Sequence, residues 1–310
     1  MGWNHTYLWI SLAALSPLWP AYAFNQEHLS QVLSDRQCPQ CDLQGADLQR
    51  LYLASANLQG ANLQGANLRG ADLRHSLLLN TDLRDADLTQ TDLRGANLLN
   101  AQLDGTQWQG VRLDTATQID GRWRLIWQIV NEGGNLNLEQ SDLAGANLSR
   151  STLSQAQLYQ ANLAGSDLSG SQLDGANLRQ ANLAGANLTL ANLSQADVSG
   201  ADLSGVNGRS LNLAGATLIG TIFSQADLEQ ANLQAANLQA AQLTGAMLRS
   251  ANLQDADLRG AVLVGADLQQ ANLLNTNLES ADLAGANLCG AKLPDEEVGA
   301  CGVEAAAESR

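Results

Sequence analysis

The residues best suited to chemistry are two cysteines in the segment Cys38-Pro39-Gln40-Cys41. A C-x-x-C spacing is typical of redox centres and of zinc sites. No βαβ pattern and no second C-x-x-C lies nearby, and the histidines, His5, His28 and His75, form no cluster that would complete a zinc site. We therefore expect a structural disulfide, as is common in oxidising compartments. Free buried thiols and a catalytic pair are the alternatives.

No other pattern in the sequence points to a reaction. Cys289 and Cys301 are a second, weaker candidate disulfide, and His75 has no obvious serine or aspartate partners. The glycines form no phosphate-binding loop, and the repeated aspartates lack the spacing of a Ca²⁺ cage. We predict no catalytic residue, no cofactor and no metal site, and hence a protein that is not an enzyme.

The N-terminal segment, 1–23, has the pattern of a secretory signal. It is apolar from about Tyr7 to Trp19 and ends in the small-x-small triplet Ala21-Tyr22-Ala23. The apolar stretch is short for a membrane span, so we expect no stable span after cleavage. Because the segment before it lacks Lys and Arg, an uncleaved anchor and a cytoplasmic start remain alternatives.

Charge and composition exclude some classes of protein. The chain has 16 basic and 31 acidic residues, a net charge of −15. This balance argues against direct binding of nucleic acid, or of an anionic membrane, through a basic patch. Hydrophobic residues make up 45% of the chain but aromatic residues only 4%. A large core is therefore possible, but it must be built from small and medium side chains.

Those side chains recur with a period of five. A leucine stands at nearly every fifth position from Leu43 to Leu113 and again from Leu138 to Leu293, usually with alanine two residues before it. The period fits neither a helix nor a long strand, but it fits three extended residues followed by a two-residue turn. Four such sides close one square coil, so that positions i and i+20 stack. Stacked coils pair their backbones and bury leucine and alanine in a narrow column.

The unit resembles the pentapeptide-repeat family, whose motif A-[D/N]-L-x-x is seen here as Ala61-Asn62-Leu63-Gln64-Gly65. The resemblance covers roughly residues 41–113 and 138–293. It implies an all-β solenoid, a right-handed quadrilateral parallel β-helix. Exported relatives in photosynthetic bacteria combine a helix and a C-x-x-C before the first coil. This layout matches residues 24–38 and implies a periplasmic or thylakoid-lumen location.

Two helices are predicted to accompany the coils. Asn25 can N-cap a short helix that covers the first coil with His28, Leu29, Val32 and Leu33. A second helix is predicted between Asp120 and Gly133, in an insert similar to one found in some family members. Its apolar stripe consists of Trp123, Ile126, Trp127 and Val130. The stripe either packs on the solenoid or docks a partner or a lipid surface. Since the step from Leu113 to Leu138 is a multiple of five, we expect one nearly continuous solenoid with this helix looped out.

Details of the repeat predict packing and surface contacts. Gly208 stands at a leucine position, and the larger Val206 and Leu211 at the flanking alanine positions should return the lost volume. The stacking of equivalent positions in neighbouring coils predicts surface pairs of Arg74 and Arg94 with neighbouring aspartates. It also predicts an amide ladder of Asn192, Asn212, Asn232, Asn252 and Asn272.

The sequence thus divides into six segments: a signal peptide (1–23), a capping helix with the C-x-x-C (24–40), a first repeat run (41–113), a helical insert (114–137), a second run (138–293) and an acidic tail (294–310). The tail is either a weak capping helix or disordered. We expect an exported, rigid interaction scaffold with an unidentified protein partner. The alternative is an acidic DNA mimic that inhibits a topoisomerase, if the protein is cytoplasmic. The sequence does not predict the oligomeric state.

Overall fold

A computed structural model describes residues 25–133 and 136–301. It contains two helices, α1 (Gln26–Asp35) and α2 (Gly121–Asn131), and the rest of the described chain is repeating β-bridges and turns. The predicted signal peptide, 1–23, lies outside the described residues. Neither α1 nor α2 has the length and the apolar run needed to cross a bilayer.

The β structure consists of parallel bridges at every fifth residue, each joining residues one coil apart. In the first run the bridges extend from Gln37–Asn57 to Asn97–Gln118, and in the second run from Asn137–Gln157 to Asn272–Lys292. Each bridge joins position i to position i+20, except at the last bridge of the first run. The fold is the predicted right-handed quadrilateral parallel β-helix.

Each of the four sides of a coil forms hydrogen bonds with the preceding coil and with the following coil. The N–H of Leu63 donates to the carbonyl of Asp82 in the next coil (2.7 Å), and the N–H of Asn62 donates to the carbonyl of Cys41 in the preceding coil (2.8 Å). A turn closes each side, as when the Ala66 N–H donates to the Leu63 carbonyl (3.0 Å). The fifth residue has a left-handed backbone, with φ of 64° at Gly65. Glycine recurs there because it adopts this conformation without steric cost.

The core is a column of leucine and alanine, and Trp108 and Phe223 are the largest fully buried side chains. At Gly208 neighbouring side chains fill the space that a leucine side chain would occupy in a regular coil. A Cβ atom there would lie 2.9 Å from Leu228 Cδ2 and 3.2 Å from Leu211 Cδ2. Leu211 and Val206 are both buried. The predicted compensation is confirmed for Leu211, and Leu228 also contributes to it, whereas Val206 lies farther from that point.

Helix α1 covers the first coil. Asn25 caps it as predicted, and its Oδ1 accepts from the Glu27 N–H (2.9 Å). Val32 is fully buried, but Leu33 is 52% exposed, so Leu33 does not belong to the packed face. The bridge ladder starts at Gln37, within the segment that we assigned to the cap. Cys38 therefore occupies a leucine position in the first coil.

The two runs are not one continuous ladder. The side that follows Leu113 has one extra residue, so Asn97 pairs with Gln118, 21 positions away. Asp114 organises this longer turn, because its Oδ1 accepts from the N–H groups of Thr117 (2.9 Å) and Gly95 (3.0 Å). Within the described ranges no bridge joins the first run to the second. The expectation of a continuous register was wrong, since a count of residues does not reveal a local insertion.

Helix α2 is not looped out. Trp123, Ile126 and Ile129 are buried, and they belong to one continuous hydrophobic cluster with both runs. Trp127 and Val130 are only partly buried, so the packed stripe is centred on Ile126 and includes Ile129 in place of Trp127. Asp120 precedes the helix as predicted, but its side chain makes no capping hydrogen bond.

The chain turns back on itself after Pro294. Val298 forms an antiparallel bridge with Lys292, and the N–H of Gly299 donates to the carbonyl of Ala291 (2.8 Å). Residues 295–301 are therefore neither the capping helix nor the disordered tail that we expected. The remainder of that tail, 302–310, lies outside the described residues.

Candidate interaction surfaces

The interior of the solenoid leaves no room for a substrate. Leucine side chains from all four sides fill the axis, and nearly all of them are completely buried. His75 lies in an exposed turn with a left-handed backbone. In the described part of the chain, no three His, Cys, Asp or Glu side chains are close enough to hold a metal ion. The chemistry available to the protein is therefore on its outer faces and at its ends.

The four cysteines form two pairs at opposite ends of the described chain. Cys38 is joined to Cys41, with a Cα–Cα distance of 5.4 Å, and Cys289 to Cys301, with a distance of 4.4 Å. Cys38 and Cys41 are buried in the first coil. Such burial keeps a substrate away from the sulfurs, which favours a structural role over a catalytic one.

One face of the second run carries the predicted amide ladder. Asn212 Nδ2 donates to Asn192 Oδ1 (2.8 Å), and the same contact continues upwards through Asn232, Asn252 and Asn272 at 3.1–3.3 Å. Each Oδ1 atom also accepts from the N–H of the turn two residues later, at 3.2 Å in the case of Ser194. The ladder therefore ties neighbouring coils together and holds the adjoining turns.

Aspartate–arginine pairs recur where arginine follows aspartate by two residues. The predicted pairs at Arg74 and Arg94 are present, and both arginines bind their aspartates through two nitrogens. Asp257 and Arg259 form a similar pair that we did not predict, although the D-L-R spacing signals it. The Arg259 hydrogen bonds lower the pKa of Asp257 to about 2, with a further contribution from Gln239. These pairs are exposed, so each adds little stability.

The acidic residues do not form an unbroken anionic strip. On the face that carries Asp142 and Asp202, Ile222 and Val262 stand in the same column as the aspartates. A nucleic-acid duplex carries a negative charge at every phosphate along its length. Neutral and apolar residues interrupt any such pattern here.

Helix α2 is held in the gap between the runs by its polar side chains. Trp127 Nε1 donates to the Val111 carbonyl (2.7 Å), and Asn131 Oδ1 accepts from the Gly110 N–H (2.7 Å). Arg122 pairs with Asp104 of the first run (3.4 Å) and also donates to the carbonyls of Asp142 and Ala144 in the second. This placement favours the packing interpretation of the predicted stripe over docking.

A shallow groove of about 450 Å³ lies beside this junction. Its walls include Arg84, Asp104, Gly105, Gly145 and Asp167. The Gly105 N–H donates across the junction to the Gly145 carbonyl (3.1 Å), which brings the two runs together at this corner. The groove is open and polar, and it has none of the enclosed apolar walls typical of a small-molecule site.

Comparison with known proteins identifies the repeat. A family model described as pentapeptide repeats matches in eight copies, over residues 40–74, 81–117, 135–170, 171–207, 212–249, 226–263 and 256–293. The comparison with curated proteins finds no match.

Among solved structures, the chain is similar to HetL, a pentapeptide repeat protein involved in heterocyst differentiation regulation in the cyanobacterium Nostoc sp. strain PCC 7120. The identity is 29%, the coverage 88% of this chain and 97% of HetL, and the TM-score 0.47. A pentapeptide repeat protein of the Arabidopsis thaliana thylakoid lumen is 29% identical, over 36% of this chain and 82% of its own, with a TM-score of 0.32. QnrB1, a plasmid-mediated fluoroquinolone resistance protein, is 20% identical, over 81% and 89%, with a TM-score of 0.27.

Proposed function

Because this chain belongs to the pentapeptide-repeat family, we propose that it is a non-enzymatic, exported rod that serves as a protein-interaction scaffold. The observation that carries the proposal is the filled leucine column, which leaves only the outer faces and the ends for contacts. Ladders and turns hold those outer side chains in a fixed array. A rigid array of this kind suits recognition of another protein, because little side-chain freedom is lost on binding.

Export to the periplasm or the thylakoid lumen is part of the same proposal. It is supported by the signal-like segment 1–23 and by the two cysteine pairs, since structural disulfides persist in oxidising compartments. The native protein should begin near Phe24. Its mass should rise by about 4 Da on reduction, because each of the two disulfides takes up two hydrogens. An intact Met1 with four free thiols would contradict export.

The scaffold role is tested by chemical crosslinking in the native compartment, followed by purification of the full chain. We expect a defined protein partner that crosslinks to outward residues of the coils. Recovery of the protein with no reproducible partner would contradict the scaffold role.

The alternative is an acidic DNA mimic that inhibits a topoisomerase in the cytoplasm. The net charge of −15 favours it, and the interrupted acidic columns described above weigh against it. The two functions are distinguished by a supercoiling assay with the purified chain. Inhibition that persists at physiological salt, together with a cytoplasmic location, would favour mimicry over the scaffold.

A further inference from the structure

The C-terminal end of the solenoid differs from every other coil end in the described chain. The first coil is covered by α1, and α2 fills the gap between the end of the first run and the start of the second. The last coil of the second run has only the short turn of residues 294–301. This turn pairs with the last side through Lys292 and Val298, and it is held to the adjoining side by the Gly290 N–H, which donates to the Gly299 carbonyl (2.9 Å), and by the Cys289–Cys301 disulfide.

Side chains of the two helices form hydrogen bonds with backbone groups at the coil ends that no neighbouring coil can reach. In a continuing ladder the N–H of Asp42 would donate to a preceding coil, but here it donates to His28 Nδ1 of α1 (3.0 Å). At the end of the first run, Asn131 Oδ1 accepts from the Gly110 N–H, and Trp127 Nε1 donates to the Val111 carbonyl. The helices therefore replace a missing coil in both packing and hydrogen bonding.

The last coil lacks these contacts. The N–H groups of Leu278, Leu283 and Leu288 have no acceptor among the described residues, whereas the equivalent Leu263 N–H one coil earlier donates to the Asp282 carbonyl (2.7 Å). The three leucine side chains are also only partly buried, while Leu263 is completely buried. Unpaired strand edges beside partly buried leucines are a surface that proteins normally cover.

The rim of this end is strongly acidic. Glu279, Asp282 and residues 295–297, which are Asp-Glu-Glu, are all exposed, and Lys292 is the one basic residue of the last coil and its turn. The end of the first run also has an acidic residue, Asp104, which pairs with Arg122 of α2. A cationic helix is therefore complementary to this kind of coil end.

From this surface we infer that the C-terminal end is a docking site for a cationic amphipathic helix of a partner protein. The helix would place an apolar stripe on the leucines, offer amide or imidazole acceptors to the strand edge, and set Lys or Arg against the acidic rim. This inference rests on the proposed scaffold function and assigns the partner's chemistry.

Two other occupants fit less well. The segment 302–310, GVEAAAESR, contains one large apolar side chain and two glutamates, so it brings little apolar area to the leucines and more negative charge to an acidic rim. A second copy placed end to end would bring two acidic rims together, and like charges in contact oppose association.

The probe is a labelled, end-blocked peptide with the sequence of α2, GRWRLIWQIVN, which has two arginines and no acidic residue. The structure shows this sequence covering a C-terminal coil end in the first run. We expect saturable binding to the full chain by fluorescence anisotropy, with a dissociation constant of roughly 10–100 μM, since a short helix must order on binding. The same peptide with Ile126→Gln, which keeps the charge but breaks the apolar stripe, should bind at least tenfold more weakly.

A matched pair of protein variants locates the site. Asp282→Lys should weaken peptide binding about fivefold. Asp202→Lys, in the same column four coils away, should leave peptide binding unchanged. The two variants are matched because both aspartates accept a hydrogen bond from their turn, Asp282 from the Ala284 N–H (3.0 Å) and Asp202 from the Ser204 N–H (2.9 Å). Equal weakening by both variants would show attraction to the overall negative charge and overturn the inference.

Photo-crosslinking from the peptide at its Gln128 position gives a second readout. Crosslinks to residues 277–293 support the inference, and crosslinks to residues 102–114 show that the peptide displaces the resident α2, which overturns it. The chain alone is treated separately with a chemical crosslinker. Products that join the last coils of two copies, or that join 302–310 to the last coil, would assign the end to a second copy or to the tail, and either result also overturns the inference. If the native partner is captured equally well by Asp282→Lys, this inference fails while the scaffold role stands.

Discussion

The packing around Gly208 gives the sharpest test of the leucine column. Leu228 Cδ2 and Leu211 Cδ2 lie 2.9 and 3.2 Å from the point where a Cβ at position 208 would stand. Gly208→Leu alone should cost about 1–3 kcal/mol, because the added side chain meets atoms that already fill the site. Leu211→Ala alone should cost about 2–5 kcal/mol, because it leaves a cavity in a tightly packed column.

The two changes together restore the regular pattern of leucine at one position and alanine three residues later. The double variant should therefore lie within about 1 kcal/mol of the wild type, so the two substitutions should be coupled by at least about 2 kcal/mol. Urea unfolding followed by circular dichroism measures the free energies. Hydrogen exchange of the amides in residues 203–222 reports the same change locally, which is useful because repeat arrays do not always unfold in one step.

A control pair separates coupling from general destabilisation. Gly208→Leu combined with Leu253→Ala, more than two coils away, should give effects that add, since distant substitutions share no contacts. If Gly208→Leu and Leu211→Ala also add, the side chains do not exchange volume, and the proposed compensation is refuted.

Three further predictions concern the turns, α2 and the surface pairs. Leu190→Gly should raise the free energy of unfolding by about 0.5–1 kcal/mol, because Leu190 is 68% exposed and has a left-handed backbone with φ of 60°. Asn131→Ala should cost about 0.5–1.5 kcal/mol, the net contribution of a typical hydrogen bond, since it removes the exposed contact to the Gly110 N–H; both effects are read from urea unfolding. Arg259 lowers the pKa of Asp257 from 3.8 to about 2, so this pair stabilises the fold above pH 4, and the contribution should disappear as the pH falls towards 2.

Each of these has an outcome that contradicts it. A loss of stability in Leu190→Gly would mean that the exposed side chain makes contacts which outweigh its backbone strain. Unchanged hydrogen exchange around Gly110 in Asn131→Ala would show that α2 does not satisfy the coil edge. For the surface pair, Asp257→Asn should be less stable than the wild type at neutral pH and equal to it near pH 2. A gap that stays constant with pH would contradict the role of Arg259.

The repeat itself could be predicted because its signal is local and is repeated many times. Leu63 and its equivalents recur at every fifth position, and stacking at intervals of 20 follows directly from four such sides. The Asn192–Asn272 ladder and the pairs of Arg74 and Arg94 are consequences of the same spacing, and all of them are present. No information beyond the sequence was needed, because each coil contacts only its neighbours.

The ends and the junction were less well predicted, because they depend on single residues that have no repeat to confirm them. The extra residue after Leu113 changes a side of the coil without disturbing the five-residue count to Leu138. The sequence places Leu33 in the apolar stripe of α1, but its side chain is exposed, since α1 contacts the coil through Val32.

The sequence alone therefore determined the coil, its buried column and its outward ladders, because a period of five leaves one way to pair the backbone and bury leucine together. Only the tertiary structure decided how the coil ends are treated. Trp127 and Asn131 take the place of strand partners for the first run, while the edge at Leu283 has no such partner in the described chain. Those contacts join segments that no periodicity relates, so they emerge only when the chain is folded in three dimensions.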